Sequence, residues 1–394
     1  MILDSIDAAS LVIPFTHAFR HAAALRTETE TLWVEARARD GTCGFGEGCP
    51  RNYVTGEDLQ SAGRFVAAHR RDWIAGIVDF DSLSEWVARH RPVIDRNPAT
   101  WTAVELALLD LLGKTERRSV EALLGLPDLA GIYRYTAVLG DAPAHRFDAQ
   151  LAQYVQAGFR DFKIKLSGDR VRDRAKVRAL AAMGVSCESV RADANGLWRD
   201  ASAALRHLRA LDYPFFAVEE PLNAGDYRGM RRIGSELGAC IILDESLLRA
   251  DQLDQLGGRP DRWIVNLRVS KMGGLLRSLE LLGALRQLGC RVVCGAHVGE
   301  TSLLTRAALT VAHSARDLLV GQEGAFGTRL LSVDVTEAPV MFGRGGILDI
   351  ATLAIDASGL GLPIVRLPDL AYIQEQRTVP ADRTQPAGQP TLSQ

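Results

Sequence analysis

The sequence lacks most of the features that would assign a class at a glance. It has no apolar run of about 18 residues, so no segment reads as a membrane-spanning helix. It has no surplus of either charge: 46 Lys+Arg face 48 Asp+Glu, a formal net charge of −2. A general binder of nucleic acid or anionic membrane would be basic, so neither partner is expected. Cysteine is sparse, with six in 394 residues and no CxxC pair. A disulfide framework would be denser and the chain shorter, so reduced, buried thiols in a cytoplasmic protein are expected. The N-terminal MILDSIDAASLVIPF lacks the basic stretch and apolar core of a signal peptide. No GxSxG elbow or HExxH motif occurs, and GFGEG lacks the strand-to-helix setting of a dinucleotide loop.

What remains is an ordinary soluble composition, 47% hydrophobic and 24% charged. At this length about three-quarters of the unfolded chain's surface is buried on folding, enough for one large domain and a smaller one. LVIPF and TLWVEARARD read as strands, with GTCGFGEG as a turn-rich link. Residues 57–124 then carry apolar residues at helical spacing. These 130 or so residues predict an α+β capping domain, 1–130.

From Ile132 onward, short apolar runs alternate with amphipathic stretches. The runs are IYRYTAV, DFKIKL, SVRADAN, FFAVEEP, IILDES, WIVNLRV, RVVCGAH and LLVGQ. Eight βα repeats predict an α/β fold with a closed (β/α)₈ barrel over 131–350, an open doubly wound sheet being the alternative. Residues 351–376 are expected to return to the cap. Residues 377–394, rich in Pro, Gln and Thr, are expected to be a disordered tail.

Barrel active sites lie at the C-terminal ends of the strands. Here Lys163 and Lys165 end the second strand, Asp193 the third, Glu219 and Glu220 the fourth, and Asp244 and Glu245 the fifth. Arg268 follows the sixth; His297, Glu300 and Glu323 follow the seventh and eighth. The spacing of 24–28 residues is one βα unit, which puts these charges side by side on one rim. A lone Asp at a strand end is commonly a helix cap. Three acids on successive strands instead make a hard-oxygen site suited to Mg²⁺, with Mn²⁺ as the alternative. Lys163 and Lys165 alternate on one strand and so project the same way. Two adjacent ammonium groups near a divalent cation depress one another's pKa, so one can serve as a base.

As a set, these motifs resemble the enolase superfamily, and within it the muconate-lactonising/dipeptide-epimerase (mandelate racemase/muconate lactonizing enzyme) subgroup. The resemblance runs over about residues 1–370. It rests on Gly46-Glu47 with PRNYVTGE after it, FKIKL, RADANG, VEEP, LDES and NLRVSKMGG. It implies Asp193, Glu219 and Asp244 as Mg²⁺ ligands, and Lys165 as the base that removes a proton α to a carboxylate. It implies Lys163 as the group that lowers the base's pKa and meets the substrate carboxylate. Asn195, Glu220 and Glu245 would support the ligands, and a homo-oligomer is the family habit.

One position departs from the subgroup. Its racemases and epimerases have a second lysine where this chain has Arg268. A guanidinium stays protonated and is a poor proton carrier, though it can clamp a carboxylate. Single-base chemistry by Lys165, cycloisomerisation or elimination on a small carboxylate, is therefore expected. Racemisation or epimerisation of an amino-acid derivative or dipeptide is the alternative, and a non-catalytic binding protein a further one. Glu300 matches the subgroup's acid in the seventh loop, and His297 is a candidate proton donor. In the cap, Arg20, His21 and Tyr53 are candidates for substrate contact, Arg20 or Arg26 pairing with a second anionic group.

Overall fold

The computed structural model describes residues 1–21, 24–365 and 370–372, with side chains for all but 19–21, 24–25 and 371–372. The apolar alternation near the N-terminus forms β1 (Leu3–Leu11) and β4 (Thr31–Ala38), which bury Ile6, Leu11, Leu32, Trp33 and Val34. Between them, β2 (Pro14–His21) and β3 (Ala24–Glu28) form a separate antiparallel hairpin. The stretch expected as a turn-rich link is instead a strand, β5 (Cys43–Gly48), paired antiparallel with β4.

Its glycines explain the difference. Gly44, Gly46 and Gly48 alternate onto the face that meets a buried helix. A Cβ on them would stand 2.2 Å from the Ala107 oxygen, 1.8 Å from the Ala103 oxygen and 2.0 Å from the Ala99 oxygen. Here glycine serves close backbone approach and not a turn.

The helical part begins with α1 (Leu59–Gly76) and α2 (Phe80–Arg89), each opened by an Asp–Ser capping box. Pro92 restarts the chain as the short α3 (Arg91–Ile94). Next comes α4 (Pro98–Glu116), whose residues from Pro98 to Gly113 are all buried, and then α5 (Val120–Leu123). A helix apolar all round must be covered on every side. The β4–β5 sheet covers one face of α4, and two barrel helices, Val269–Met272 and Gly274–Leu288, cover another.

The barrel strands are β7 (Ala137–Leu139), β8 (Phe162–Lys165), β9 (Val190–Asp193), β10 (Ala217–Glu219), β11 (Cys240–Leu243), β12 (Trp263–Leu267), β13 (Arg291–Cys294) and β14 (Leu319–Gln322). They lie in sequence order and run parallel. Thr136 N–H donates to the Gln322 carbonyl at 2.7 Å, bringing the first strand to the eighth. The helices between them are α6 (Ala144–Ala157), α7 (Arg170–Ala182), α8 (Ala201–Leu211), α9 (Tyr227–Leu237), α10 (Val269–Met272), α11 (Gly274–Leu288) and α12 (Ser302–Ser314). The first expected run, IYRYTAV, is divided. Its first half is β6 (Ile132–Arg134), paired with β15 (Ile347–Asp349), and only its second half enters the barrel.

Strand alternation sorts the side chains. One face carries Lys163, Lys165, Arg191, Asp193 and Glu219 toward the C-terminal ends. The same face carries Ala217, Cys240, Ile242, Ile264 and Val293, which form their own small apolar cluster. The other face, with Ile164, Val218, Leu243, Val265 and Val292, joins the main core. The chain returns to the cap sheet through β16 (Leu370–Tyr372), antiparallel to β1. The expected tail, 377–394, lies outside the described residues. Among the described residues no helix is long and apolar enough to cross a membrane.

Candidate active site

The parallel register sets Asp193 directly beside Glu219, and Lys165 beside Asp193. Lys163 is buried among three carboxylates, with Nζ 2.7 Å from Glu219, 3.0 Å from Glu323 and 3.1 Å from Asp193. Burial alone would lower its pKa. The charges of Glu219, Glu323 and Asp193 outweigh that and hold the ammonium firmly protonated. Lys165, on the same face, donates to Asp193 at 2.5 Å and to Asn195 Oδ1 at 2.8 Å.

The carboxylates divide by their company. Burial and the neighbouring Asp193 charge push the Glu219 carboxyl up to about 7, while Asn266 Nδ2 donates to it at 2.9 Å. Asp244 is buried too, yet Arg268 and Lys271 hold its carboxyl well below the usual range. Glu220 takes no place among them. Its oxygens accept from the Asp244 and Ser246 amides, both at 2.7 Å, and from the Ser246 hydroxyl at 2.9 Å. It thereby fixes the backbone that carries Asp244. Asn195 and Glu220 both have positive φ, 45° and 36°, at adjacent strand ends, a cost that non-glycine residues bear chiefly at functional sites.

Among the described residues, no three acidic, imidazole or thiolate groups converge closely enough to hold a metal ion. The chain's own cations stand there instead, Lys163 between Asp193 and Glu219 and Arg268 against Asp244. The donor chemistry nonetheless fits a hard divalent cation. Three acids from successive strands repel one another in a buried setting, and Glu219 Oε2 accepts no aligned hydrogen bond. Such a group of like charges is stable only with cations among them.

Lys163, Lys165, Arg268, His297, Glu300 and Glu323 line one cavity of about 100 Å³, together with Tyr53, Asn195 and Glu245. Its remaining wall is apolar, including Val298, Phe326, Leu330 and Leu331. Lys165 comes from the second barrel strand and Arg268 from just past the sixth. Four strands of eight apart, they face each other across the barrel.

Burial and Asp244 push the Glu245 carboxyl up to about 7. Arg268, although buried, stays charged because Asp244 and Glu245 outweigh the burial. The His297 side chain is almost fully buried, and neither ring nitrogen has a hydrogen-bond partner. Burial, reinforced by Arg268 and Arg51, keeps its imidazole neutral. Glu300 Oε1 lies 3.4 Å from His297 Nδ1 and accepts the His297 amide at 2.7 Å. Burial pushes the Glu300 carboxyl up to about 8.

The expected residues of the barrel rim thus share one site, Glu220 behind it. Lys271 is buried against Asp244 and does not line the cavity. Arg26 does not line the cavity either; it is buried, paired with Glu30 at 2.7 Å and hydrogen-bonded to Tyr53, which does. The side chains of Arg20 and His21 lie outside the described residues. Sequence reasoning missed Asn266, which donates to Glu219, and Arg191, buried within 3.6 Å of Glu323. Arg191 stands two residues before Asp193 on β9, and Asn266 two before Arg268 just past the end of β12, and that alternation was the available signal.

Comparison with known proteins gives the family and the fold. The family described as enolase C-terminal domain-like matches residues 146–366. The chain is similar to a hydrophobic dipeptide epimerase of Enterococcus faecalis, 26% identical over 325 residues, 81% of this chain and 89% of the relative. The solved dipeptide epimerase of Enterococcus faecalis, complexed with Mg and the dipeptide L-Leu-L-Tyr, superposes with a TM-score of 0.78 at 23% identity. That match covers 92% of this chain and 99% of the other. Muconate lactonizing enzyme of Pseudomonas putida superposes with a TM-score of 0.77 at 22% identity, covering 92% and 97%.

Proposed function

The chain belongs to the enolase C-terminal domain-like family and is an enzyme of the enolase superfamily, and from that premise we propose that it racemises or epimerises an amino-acid derivative or dipeptide. The observation that carries this reading is the shared cavity, with Lys165 on one side and Arg268, His297 and Glu300 on the other. It takes precedence over the single-base reaction expected from Arg268 because the relatives are epimerases and racemases.

In this reading the substrate carboxylate lies between Arg268 and Lys163, both held charged. Lys163 therefore cannot serve as base, which leaves Lys165 on the same face to take the α-proton. The C–H electron pair passes into the carboxylate as an enolate. Asp193, Glu219 and Asp244 would hold a Mg²⁺, which would supply Lewis-acid stabilisation of that developing charge. Asn195 orients the base through its 2.8 Å hydrogen bond.

The second proton must come from the opposite face, and Arg268 does not release one. Glu300, protonated at neutral pH, stands beside the neutral His297 imidazole, so the pair carries one proton to deliver. Delivery through the imidazole leaves Glu300 as a carboxylate, and the reverse reaction restores it.

A second reading, a single-base cycloisomerase or lyase on a small carboxylate, is favoured by Arg268 alone. Incubation with a panel of dipeptides, N-acylated amino acids and unsaturated diacids in D₂O with MgCl₂ decides. The expected result is α-deuterium incorporation with inversion, lost at least a thousandfold in Lys165→Ala. Incorporation without inversion supports the single-base reading. No Lys165-dependent exchange with any member would leave the site a binding site only.

A further inference from the structure

The loop that carries His297 and Glu300 is tied to the barrel only where Thr301 caps α12, among the described residues. Within it, Glu300 and His297 bond to each other, closing a turn. Among the described residues, every hydrogen bond tying residues 297–301 to the chain beyond α12 comes from the cap. Arg51 Nη2 donates to the Val298 carbonyl at 3.2 Å. Glu47 accepts from the Thr301 amide at 3.0 Å and the Thr301 hydroxyl at 2.6 Å, and from the Leu304 amide at 3.1 Å. Gly299, with φ +93°, packs so tightly that a Cβ there would stand 3.1 Å from the Phe15 ring of the cap hairpin.

Both anchors come from one short piece of chain. The glycines of β5 turn toward α4, so Glu47 between them turns the other way, toward α12. Arg51 follows three residues after the strand. It is among the largest fully buried side chains, and its Nη1 also donates to the Glu30 carbonyl at 2.6 Å and the Pro50 carbonyl at 2.8 Å. A guanidinium can hold three carbonyls at once because its donors form a rigid fork. Glu30 begins the turn out of the cap hairpin, so Arg51 links that hairpin to the cavity loop.

We infer that Arg51 and Glu47 are positioning residues: from the cap they hold the backbone of residues 298–301 and so aim His297 and Glu300 into the cavity. The functional half of this inference rests on the role proposed above for His297 and Glu300. The structural half does not.

The test reads the loop directly in the full-length protein with MgCl₂ and no substrate. Backbone hydrogen–deuterium exchange is followed by mass spectrometry on peptides spanning 295–304, with β9 and β10 as controls. Exchange at the His297 ring C–H is followed in the same samples. Arg51→Met and Glu47→Gln each speed exchange in the loop and at His297 about tenfold or more, with β9 and β10 unchanged; Arg51→Lys recovers part of the protection. Unchanged loop exchange overturns the inference. So does an increase shared equally by the controls, which is general loosening.

Turnover then separates the two halves. Where His297→Gln is slow, Arg51→Met lowers kcat about 10- to 100-fold at nearly constant KM, the scale expected for a misplaced catalytic group. The double variant is then no slower than His297→Gln alone, and additive losses overturn the positioning role. Where His297→Gln turns over normally, the His297 reading falls, and the loop exchange alone decides the tether.

Discussion

Glu47 offers a pH test whose size follows from its surroundings. The side chain is fully buried, and burial pushes its carboxyl up to about 7 against the hydrogen bonds from Thr301 and Leu304, with Asp334 adding to the rise. Unfolded, the same group titrates near 4.5. A carboxyl raised in the folded state contributes stability that is full below pH 4.5 and is lost as pH rises through 7. Working the two protonation equilibria through, this one group removes about 2–3 kcal/mol of stability between pH 5 and 8.5. Glu47→Gln has no proton to lose. It forfeits at least one accepted hydrogen bond, about 1–3 kcal/mol at every pH. Wild type is therefore the more stable protein at pH 5, and its advantage shrinks by about 2–3 kcal/mol, or reverses, at pH 8.5. Urea denaturation of both proteins at the two pH values measures the gap directly, and other titrating groups cancel in the difference. A gap that is the same at pH 5 and pH 8.5 would refute the argument, because Glu47 would then ionise alike folded and unfolded.

Three further predictions address the site and the frame behind it. Arg268→Lys keeps Lys165-dependent α-deuterium exchange but raises KM about tenfold, since a point ammonium replaces a two-pronged clamp; steady-state kinetics read this, and an unchanged KM removes Arg268 from substrate binding. Gly46→Ala forces a Cβ within 1.8 Å of the Ala103 oxygen of α4, so it lowers stability by about 3 kcal/mol; a urea midpoint equal to wild type would show that α4 moves aside freely. Arg306 donates to Glu121 from Nη1 and Nη2, both at 2.8 Å, both side chains buried. Arg306→Met strands the Glu121 charge and costs about 3–5 kcal/mol; Arg306→Met with Glu121→Leu recovers much of the loss, and no recovery would mean that the carboxylate is not what destabilises.

Much of the site was legible because a parallel strand is read from its sequence alone. Helices cover such strands, so they appear as short apolar runs, and the residue that ends each run lies on the catalytic rim. Asp193, Glu219, Asp244, Lys165 and Arg268 could be named that way, and the period of two placed Lys163 and Lys165 on one face. The glycines of β5 resisted the same reading. Gly44, Gly46 and Gly48 look like turn residues until α4 is set against them, because close approach of two backbones leaves no mark within ten residues of sequence.

What the sequence by itself determined is the order of the elements, the rim of charges and the family, since each follows from local alternation and spacing. Only the tertiary structure decided which charge meets which. It put Lys163 among three carboxylates and Arg268 against Asp244. It left both nitrogens of His297 without partners beside a raised Glu300. It also brought Arg51 of the cap to Val298, 247 residues further along the chain. Ionisation depends on burial and on neighbours a few ångströms away, and those neighbours become adjacent only when the barrel closes and the cap settles on it.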